Sequence, residues 1–260
     1  MTAPVLFEKN NHVGVITLNR PQQLNALNTE LLQALHEAVC ACRDADIRAV
    51  VLHGAGRCFC AGGDIHYFHQ CIVEKKPVSH AMVDAFHASV EAIRQLDKPV
   101  LASVHGAAAG GGAPLALACD LIIAANDAVF NFAYARLGLT PDGSSTYFLP
   151  RHLGLKKTFE LFATMPTLTA QAALDSGLVN WIVPPDELAT RTHAMASQLA
   201  NGPTTALGRI KQLLNASPHN TLHDQLALET EMICASTTTA DFREGVTAFL
   251  EKRAPIFRGC

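Results

Sequence analysis

Stretches rich in valine and isoleucine recur along the chain, and segments with helical spacing separate them. The apolar stretches cover residues 13–19, 49–54, 99–106, 121–125 and 179–183. Short apolar runs of this kind are typical of buried strands. Between them, one helical stripe begins at Leu31 and Leu35 behind a candidate N-cap, Asn28, and a second runs from Met82 through Phe86. Strands that alternate with helices predict an α/β fold with parallel pairing.

The last third of the chain differs from the rest. After Val183 the apolar spacing is helical only, with stripes that start at Leu188, Leu222 and Phe242. We therefore expect a core over residues 1–195 and a helical region over residues 196–260. The helical region would pack on the core or on a neighbouring subunit.

Composition and charge exclude several classes of protein. Of the 260 residues, 49% are hydrophobic and 17% are charged, which is typical of a compact globular chain. The net charge is −3 and no Lys/Arg run occurs, so no nucleic-acid surface is expected. The uncharged segment between Lys98 and Asp120 contains Pro99, Pro114 and several glycines, which argues against a membrane span. Eight cysteines without a secretion signal predict reduced thiols in the cytoplasm.

Two glycine-rich loops follow predicted strands. The segment RCFCAGGDI (57–65) follows the strand at 49–54, and GAAAGGGAP (106–114) follows the strand at 99–105. Pro114 marks a helix start, which leaves the N–H of Gly111 without a helical partner. Two such loops could supply converging N–H donors, an oxyanion hole. The alternative is that the glycines only permit tight turns, and neither loop has a dinucleotide or P-loop fingerprint.

A third segment carries an acidic residue among apolar and aromatic neighbours. TPDG (140–143) predicts a turn, and it presents Asp142 between Tyr134 and Phe148. Aspartates in such turns commonly have only a structural role, in which they cap or initiate the turn. A catalytic role for Asp142 therefore depends on what surrounds it.

Taken together, these segments resemble the crotonase, or enoyl-CoA hydratase/isomerase, superfamily. LNRPQQLNALN (18–28), FCAGGD (59–64), GAAAGGG (106–112), the LGL.P turn (137–141) and the closing segment at 242–259 occur in the order and spacing of that family. The resemblance covers essentially the whole chain. It implies a spiral of ββα units, a C-terminal helical region for trimer formation and an acyl-CoA thioester as substrate. Coenzyme A would be part of the substrate, with no other cofactor.

The resemblance also implies site residues by motif position. The oxyanion-hole donors fall on Gly63 and Gly111. The positions where the family contacts coenzyme A, largely through backbone, fall on Leu24, Ala26, Ala61, Gly63, Asp64, Ile65 and Gly111.

The chain departs from the family pattern at the two catalytic glutamates of typical hydratases. These fall at Pro114 and Tyr134, neither of which is a carboxylate. Hydration needs one group to activate water and one to deliver a proton. Asp142 falls in a turn where several family branches place a catalytic aspartate, and the closest likeness is to the ring-1,2-epoxyphenylacetyl-CoA isomerase and enoyl-CoA isomerase branch. This favours an isomerase in which Asp142 is the proton shuttle.

Two other classes of function stay open. One is a hydratase or other lyase of the same superfamily, in which Asp142, alone or with Tyr134, handles water. The other is a CoA-ester-binding or RNA-binding protein with little catalysis. The expected partners are an acyl-CoA and further copies of this chain in a homotrimer or a dimer of trimers, with no nucleic acid and no membrane.

Several other side chains are candidates for metal binding or catalysis. His66 and His69 are three residues apart, but no Glu or Asp has ligand spacing to them, so no metal site is expected. His66 could instead act as an auxiliary acid or edge the coenzyme A pocket. Tyr134 could shape the acyl pocket or donate a proton. Ser144 and Ser145 lack the elbow motif and a histidine partner of serine hydrolases.

Overall fold

The strands form two sheets in a computed structural model, which describes residues 2–260. In chain order they are β1 (Val5–Asn10), β2 (Val13–Leu18), β3 (Ala49–Gly54), β4 (Val100–Val104), β5 (Ala107–Ala109), β6 (Leu121–Ala125), β7 (Val129–Asn131), β8 (Thr167–Thr169) and β9 (Trp181–Val183). The large sheet has the order β1-β2-β3-β4-β6-β9, and the small sheet has the order β5-β7-β8.

Pairing in the large sheet is parallel from β2 to β9. Only β1 is antiparallel, as the first arm of a hairpin with β2. The predicted α/β architecture is therefore confirmed. The strands β3 and β4 are almost entirely buried, which explains their continuous apolar sequence.

Ten helices cover the sheets within the described chain. They are α1 (Thr29–Ala41), α2 (Ile65–Val73), α3 (His80–Gln95), α4 (Gly112–Leu117), α5 (Ser145–Thr164), α6 (Ala170–Asp175), α7 (Leu188–Ala200), α8 (Thr204–Ala216), α9 (Leu222–Ser236) and α10 (Ala240–Glu251). Asn28 caps α1 as predicted, because its side chain accepts a hydrogen bond from the Leu31 N–H. The predicted stripe that contains Met82 and Phe86 is the buried face of α3, which packs against α1.

The chain advances by repeated turns of a spiral. A strand of the large sheet is followed by a short extended segment in a second layer, and a helix follows: β4, β5 and α4 form one such turn. The preceding turn uses β3, a single bridging residue and α2, and its bridge pairs Cys60 with Ala108 of β5. Parallel neighbours in the second layer therefore place corresponding loop residues of successive turns side by side.

The C-terminal helices are tied to the large sheet by a buried ion pair. Lys211 of α8 lies with its Nζ 2.8 Å from Asp120 Oδ2, and Arg94 of α3 donates to the other oxygen at 3.0 Å. Burial lowers the pKa of Lys211, and the Asp120 charge opposes that shift. The predicted boundary at residue 195 lies inside α7, which packs on β3, β4 and β6. The division of the chain at that point stays a prediction.

The apolar glycine-rich segment ahead of Asp120 forms β4, β5 and the short, fully buried α4. No helix among residues 2–260 is long and apolar enough to span a bilayer. All eight cysteines are free thiols, and four of them, Cys42, Cys58, Cys60 and Cys119, are buried. These four fill the interior as small apolar side chains.

Candidate active site

A cavity of about 440 Å³ opens between α3, the two glycine loops and the segment that follows β7. Its walls are formed largely by apolar side chains. They are Leu27, Leu32, Ala61, Gly63, Ile65, Phe68, Val78, Met82, Val83, Phe86, Ala109, Gly110, Gly111, Asn131, Ala133, Tyr134, Arg136, Leu137, Leu139, Thr140 and Asp142. An apolar cavity with a few polar groups is the usual form of a small-molecule site. Among these wall residues, Asp142 is the only carboxylate.

Gly63 and Gly111 occupy matching positions on the cavity wall. Each follows by three residues one member of the paired residues Cys60 and Ala108. Within residues 2–260, neither glycine N–H donates a hydrogen bond to the backbone or to a side chain. Such amides can bind a negatively charged oxygen, which is what an oxyanion hole requires.

Residues 24–27 hold the Gly63 loop in place from both sides. The N–H of Leu27 donates to the Gly62 carbonyl at 2.7 Å, and the N–H of Asp64 donates to the Leu27 carbonyl at 3.0 Å. The N–H of Ala61 donates to the Leu24 carbonyl at 3.0 Å. These bonds satisfy the neighbours of Gly63 and leave its own N–H free.

Asn25 fastens the same loop with its side chain. Its Nδ2 lies 2.9 Å from the carbonyl oxygens of Ala55 and Cys58 and 3.1 Å from that of Phe59. Its Oδ1 accepts the N–H of Arg20 at 2.9 Å. The residue is fully buried, and its φ of 55° lies in the left-handed region, which asparagine tolerates better than most residues. Sequence reasoning missed this role, although the residue lies inside the LNRPQQLNALN motif.

The side chain of Asp64 makes structural contacts within the chain, and the coenzyme A contact expected at this position stays a prediction. Its Oδ1 accepts the N–H of His66 at 3.0 Å and so caps α2. Its Oδ2 lies 3.0 Å from the guanidinium of Arg20, and the ion pair is mostly shielded from solvent. The side chain does not line the cavity.

Asp142 and Tyr134 meet on the cavity wall. The Tyr134 hydroxyl donates to Asp142 Oδ1 at 2.8 Å, and no other side chain of the described residues donates to that carboxylate. Burial raises the pKa of Asp142, and the Tyr134 hydrogen bond partly opposes that increase. Burial and the neighbouring Asp142 charge raise the pKa of Tyr134 well above its ordinary value. Tyr134 therefore stays protonated and serves as a donor.

His87 supports the Asp142 turn from α3. The Nε2 of its neutral ring accepts the N–H of Gly143 at 3.3 Å. The sequence contains no signal for this contact, because His87 lies beside the apolar stripe of α3 and is exposed. The contact joins segments that are 56 positions apart in the chain.

The remaining predicted residues divide between the cavity and its surroundings. Ala61 and Ile65 line the cavity, as do Gly63 and Gly111. Leu24 and Ala26 do not line it and lie in the segment that holds the Gly63 loop. His66 is exposed on the first turn of α2 and is not a wall residue, so its role as an auxiliary acid stays a prediction. Across residues 2–260 there is no cluster of three or more His, Cys, Asp or Glu side chains suited to a metal.

The chain is similar to known proteins over almost its whole length. The family model described as enoyl-CoA hydratase/isomerase matches residues 8–259. Over 257 residues the chain is 40% identical to 1,2-epoxyphenylacetyl-CoA isomerase from Escherichia coli strain K12, with 98% of each chain covered. It is 39% identical over 259 residues to a probable enoyl-CoA hydratase from Rhodobacter capsulatus, again with 98% of each covered.

The fold comparison agrees with the family comparison. A crystal structure of an enoyl-CoA hydratase from Polaromonas sp. JS666 aligns with a TM-score of 0.93 at 36% identity, covering 98% of this chain and 99% of that one. The names of these relatives divide between hydratase and isomerase. These names therefore do not decide between the two reactions for this chain.

Proposed function

Because the chain belongs to the enoyl-CoA hydratase/isomerase family, we propose that it is an isomerase that moves a double bond within an unsaturated or ring-type acyl-CoA. The observation that carries the proposal is the single carboxylate of the cavity wall. Asp142 is the only carboxylate there, whereas typical hydratases of the family use two for water addition. A proton shift between two carbons needs only one such group.

The proposed reaction starts from a 3-enoyl thioester. Asp142 removes a proton from C2, and the electron pair of that C–H bond delocalises through the double bond and the thioester to give a dienolate. The protonated Asp142 then returns the proton to C4, so the double bond ends between C2 and C3, in conjugation with the thioester. No atom is gained or lost.

The negative charge of the dienolate would develop on the thioester oxygen. We assign Gly63 and Gly111 as the two N–H donors to that oxygen, because both line the cavity and neither donates elsewhere among the described residues. Each such donor is worth roughly 10²–10³ in rate. Ala61 and Ile65 would contact the coenzyme A portion near the same loop.

The environment of Asp142 suits a group that must both take and release a proton. A carboxyl with a raised pKa is a better base when ionised and is still acidic enough to return the proton. Tyr134 holds one carboxylate oxygen by a hydrogen bond and leaves the other available for the substrate. In this role Tyr134 orients Asp142.

A product assay in deuterated water tests the proposal. The purified protein is given 3-enoyl-CoA and 2-enoyl-CoA in separate reactions, and products are followed by mass and by the absorbance of the conjugated thioester. Migration of the double bond, with deuterium incorporated where the proton exchanges with solvent, supports the isomerase. Absence of migration under conditions where CoA esters bind would refute it.

Hydration is the second candidate, and the Tyr134–Asp142 pair is the observation that favours it. In that reaction the Asp142 carboxylate would activate water and the Tyr134 hydroxyl, 2.8 Å from it, would deliver a proton. Net addition of water to 2-enoyl-CoA in the same assay would support that reaction. CoA-ester affinity with no turnover of either substrate would instead support a binding protein.

We also propose a homotrimer, or a dimer of trimers, built through the C-terminal helices. Large apolar side chains are exposed on α9 and α10: Leu222, Ile233, Phe249 and Leu250 are all at least 65% exposed. Exposed apolar surface of this extent is typical of an interface between subunits.

A further inference from the structure

A wall of apolar side chains stands immediately beside Asp142. The residue after it, Gly143, is buried and has a φ of 57°, and a Cβ added there would lie 2.5 Å from Cζ of Phe86 and 3.1 Å from Cγ of Pro114. The Gly143 backbone is therefore in close contact with the Phe86 ring. Any side chain at position 143 would require that ring to move.

The same ring also reaches the proposed oxyanion donor. A Cβ added at Gly111 would lie 3.3 Å from Cε1 of Phe86 and 2.8 Å from Cδ1 of Leu27. Phe86 is only 3% exposed, and it lines the cavity. One aromatic ring thus packs against the loop that carries the donor and against the turn that carries the base.

Water addition would need space for a water molecule between the Asp142 turn and the Gly111 loop. A nucleophilic water has to lie within hydrogen-bond distance of its base and in contact with C3 of a thioester whose oxygen is held at Gly111. The Phe86 ring presents carbon atoms to the cavity at this junction, and the buried Pro114 ring lies close to Gly143 beside it. Neither ring offers water a hydrogen-bond partner. A water molecule needs two or more polar partners to occupy a buried position.

We propose that Phe86, backed by Pro114, determines the reaction by excluding water from the space between the Asp142 turn and the Gly111 loop. The inference rests on the proposed isomerase function and adds to it a residue that suppresses hydration. In the suppressed reaction, Asp142 would take a proton from water as the oxygen bonds to C3, and the proton would return to C2. Making the ring smaller creates the space that this step needs.

The test compares the two reactions in three variants and the wild type. Phe86→Ala and Phe86→Leu shorten the side chain by different amounts, and Val90→Ala on the same helix is the matched control, because Val90 is buried but is not a wall residue. Each protein receives 3-enoyl-CoA and 2-enoyl-CoA in ¹⁸O-labelled water. Isomer and labelled 3-hydroxyacyl-CoA are measured by mass, and folding is checked by circular dichroism.

We expect the wild type and Val90→Ala to form the isomer and to form little labelled 3-hydroxyacyl-CoA. Phe86→Ala should raise the ratio of hydration to isomerisation by at least about tenfold, with a smaller rise for Phe86→Leu. Variants that still isomerise but show an unchanged ratio would overturn the inference. Wild-type protein that hydrates as fast as it isomerises would overturn it without any variant.

These outcomes are separate from failure of the proposed function. A wild type that does not move the double bond at all refutes the isomerase. A wild type that isomerises while the Phe86 variants gain no hydration leaves the isomerase standing and removes only the role of Phe86.

Discussion

At the scale of single residues, the hydrogen bond between Tyr134 and Asp142 affects the pH at which the base can work. Burial raises the pKa of Asp142 and the Tyr134 hydroxyl lowers it. Only the ionised carboxylate removes a proton, so activity should rise with pH through the pKa of Asp142. The acid limb of the pH profile should therefore lie above that of an ordinary aspartate.

Removal of the Tyr134 hydroxyl tests this balance. In Tyr134→Phe the opposing hydrogen bond is lost, so the pKa of Asp142 rises further and the acid limb of kcat/KM for isomerisation moves to higher pH. The loss of activity should be larger at acid pH than at alkaline pH. A limb that does not move, or that moves to lower pH, would contradict the account.

Two substitutions of Gly111 separate the role of its N–H from the effect of adding a side chain. Its φ of −62° is compatible with proline, so Gly111→Pro removes the N–H donor without a forbidden backbone angle. Gly111→Ala keeps the N–H and is the control for the added Cβ, which would contact Leu27 and Phe86. We expect Gly111→Pro to have a kcat about 10²–10³ lower than Gly111→Ala. Equal rates for the two variants, measured by single-turnover isomerisation, would exclude the donor role.

At the scale of elements, the segment from Leu24 to Leu27 acts as a support for the Gly63 loop. Asn25 is its central contact, since its side chain binds three carbonyl oxygens and one N–H. A buried group that loses its partner costs about 1–3 kcal/mol, so several lost partners give a large effect.

Asn25→Ala should lower the free energy of unfolding by roughly 2–4 kcal/mol, because it leaves buried carbonyls without donors. It should also lower kcat, since the Gly63 N–H loses its fixed orientation. Urea denaturation measures the first effect and steady-state kinetics the second. Gln23→Ala, at an exposed position in the short 3-10 turn Pro21–Gln23, is the control and should change neither. A stable, fully active Asn25→Ala would show that the backbone bonds alone hold the loop.

The long elements were predictable because their periodicity extends over many residues. The structure confirms the predicted helical stripes, which form the buried faces of α1 and α3. It also confirms the predicted buried strands, which are β2, β3, β4 and β6. The second layer was not predictable, because β5, β7 and β8 have three residues each and so carry no measurable alternation. β1 was also missed, since nearly all of its residues are exposed.

In the candidate site, too, only the residues in local sequence motifs could be predicted. Gly63, Gly111 and Asp142 could be chosen from motifs that are local in sequence, and the cavity brings all three together. The contacts of Asn25 with the Gly63 loop, of His87 with Gly143, and of Phe86 with Gly111 and Gly143 join residues that are 25 or more positions apart. No local pattern indicates such contacts. The CoA contacts expected of Leu24, Ala26, Asp64 and His66 stay predictions.

At the scale of the whole molecule, the exposed apolar side chains of the C-terminal helices predict association. Phe249 and Leu250 on α10 are 83% and 75% exposed, which is unfavourable for a monomer in water. Sedimentation equilibrium tests the proposed assembly, for which we expect a mass of three copies of the chain, or of six.

A charge placed on that surface should disrupt the assembly. Phe249→Asp is expected to shift the sedimentation profile toward the monomer, because an aspartate at an apolar interface would be desolvated without a partner. Ile72→Asp, on α2 and 74% exposed, carries the same change outside the C-terminal helices and should leave the assembly intact. A wild-type protein that sediments as a monomer would contradict the proposed trimer.

The central claim is that Asp142 alone carries the proton between the two carbons. The most direct measurement is the rate of 3-enoyl-CoA isomerisation by Asp142→Asn, an isosteric change that keeps an acceptor for the Tyr134 hydroxyl but removes the base. We predict a loss of about 10²–10⁴-fold in kcat, with affinity for a non-reacting CoA thioester changed only a few-fold. An Asp142→Asn protein that isomerises at the wild-type rate would contradict the account.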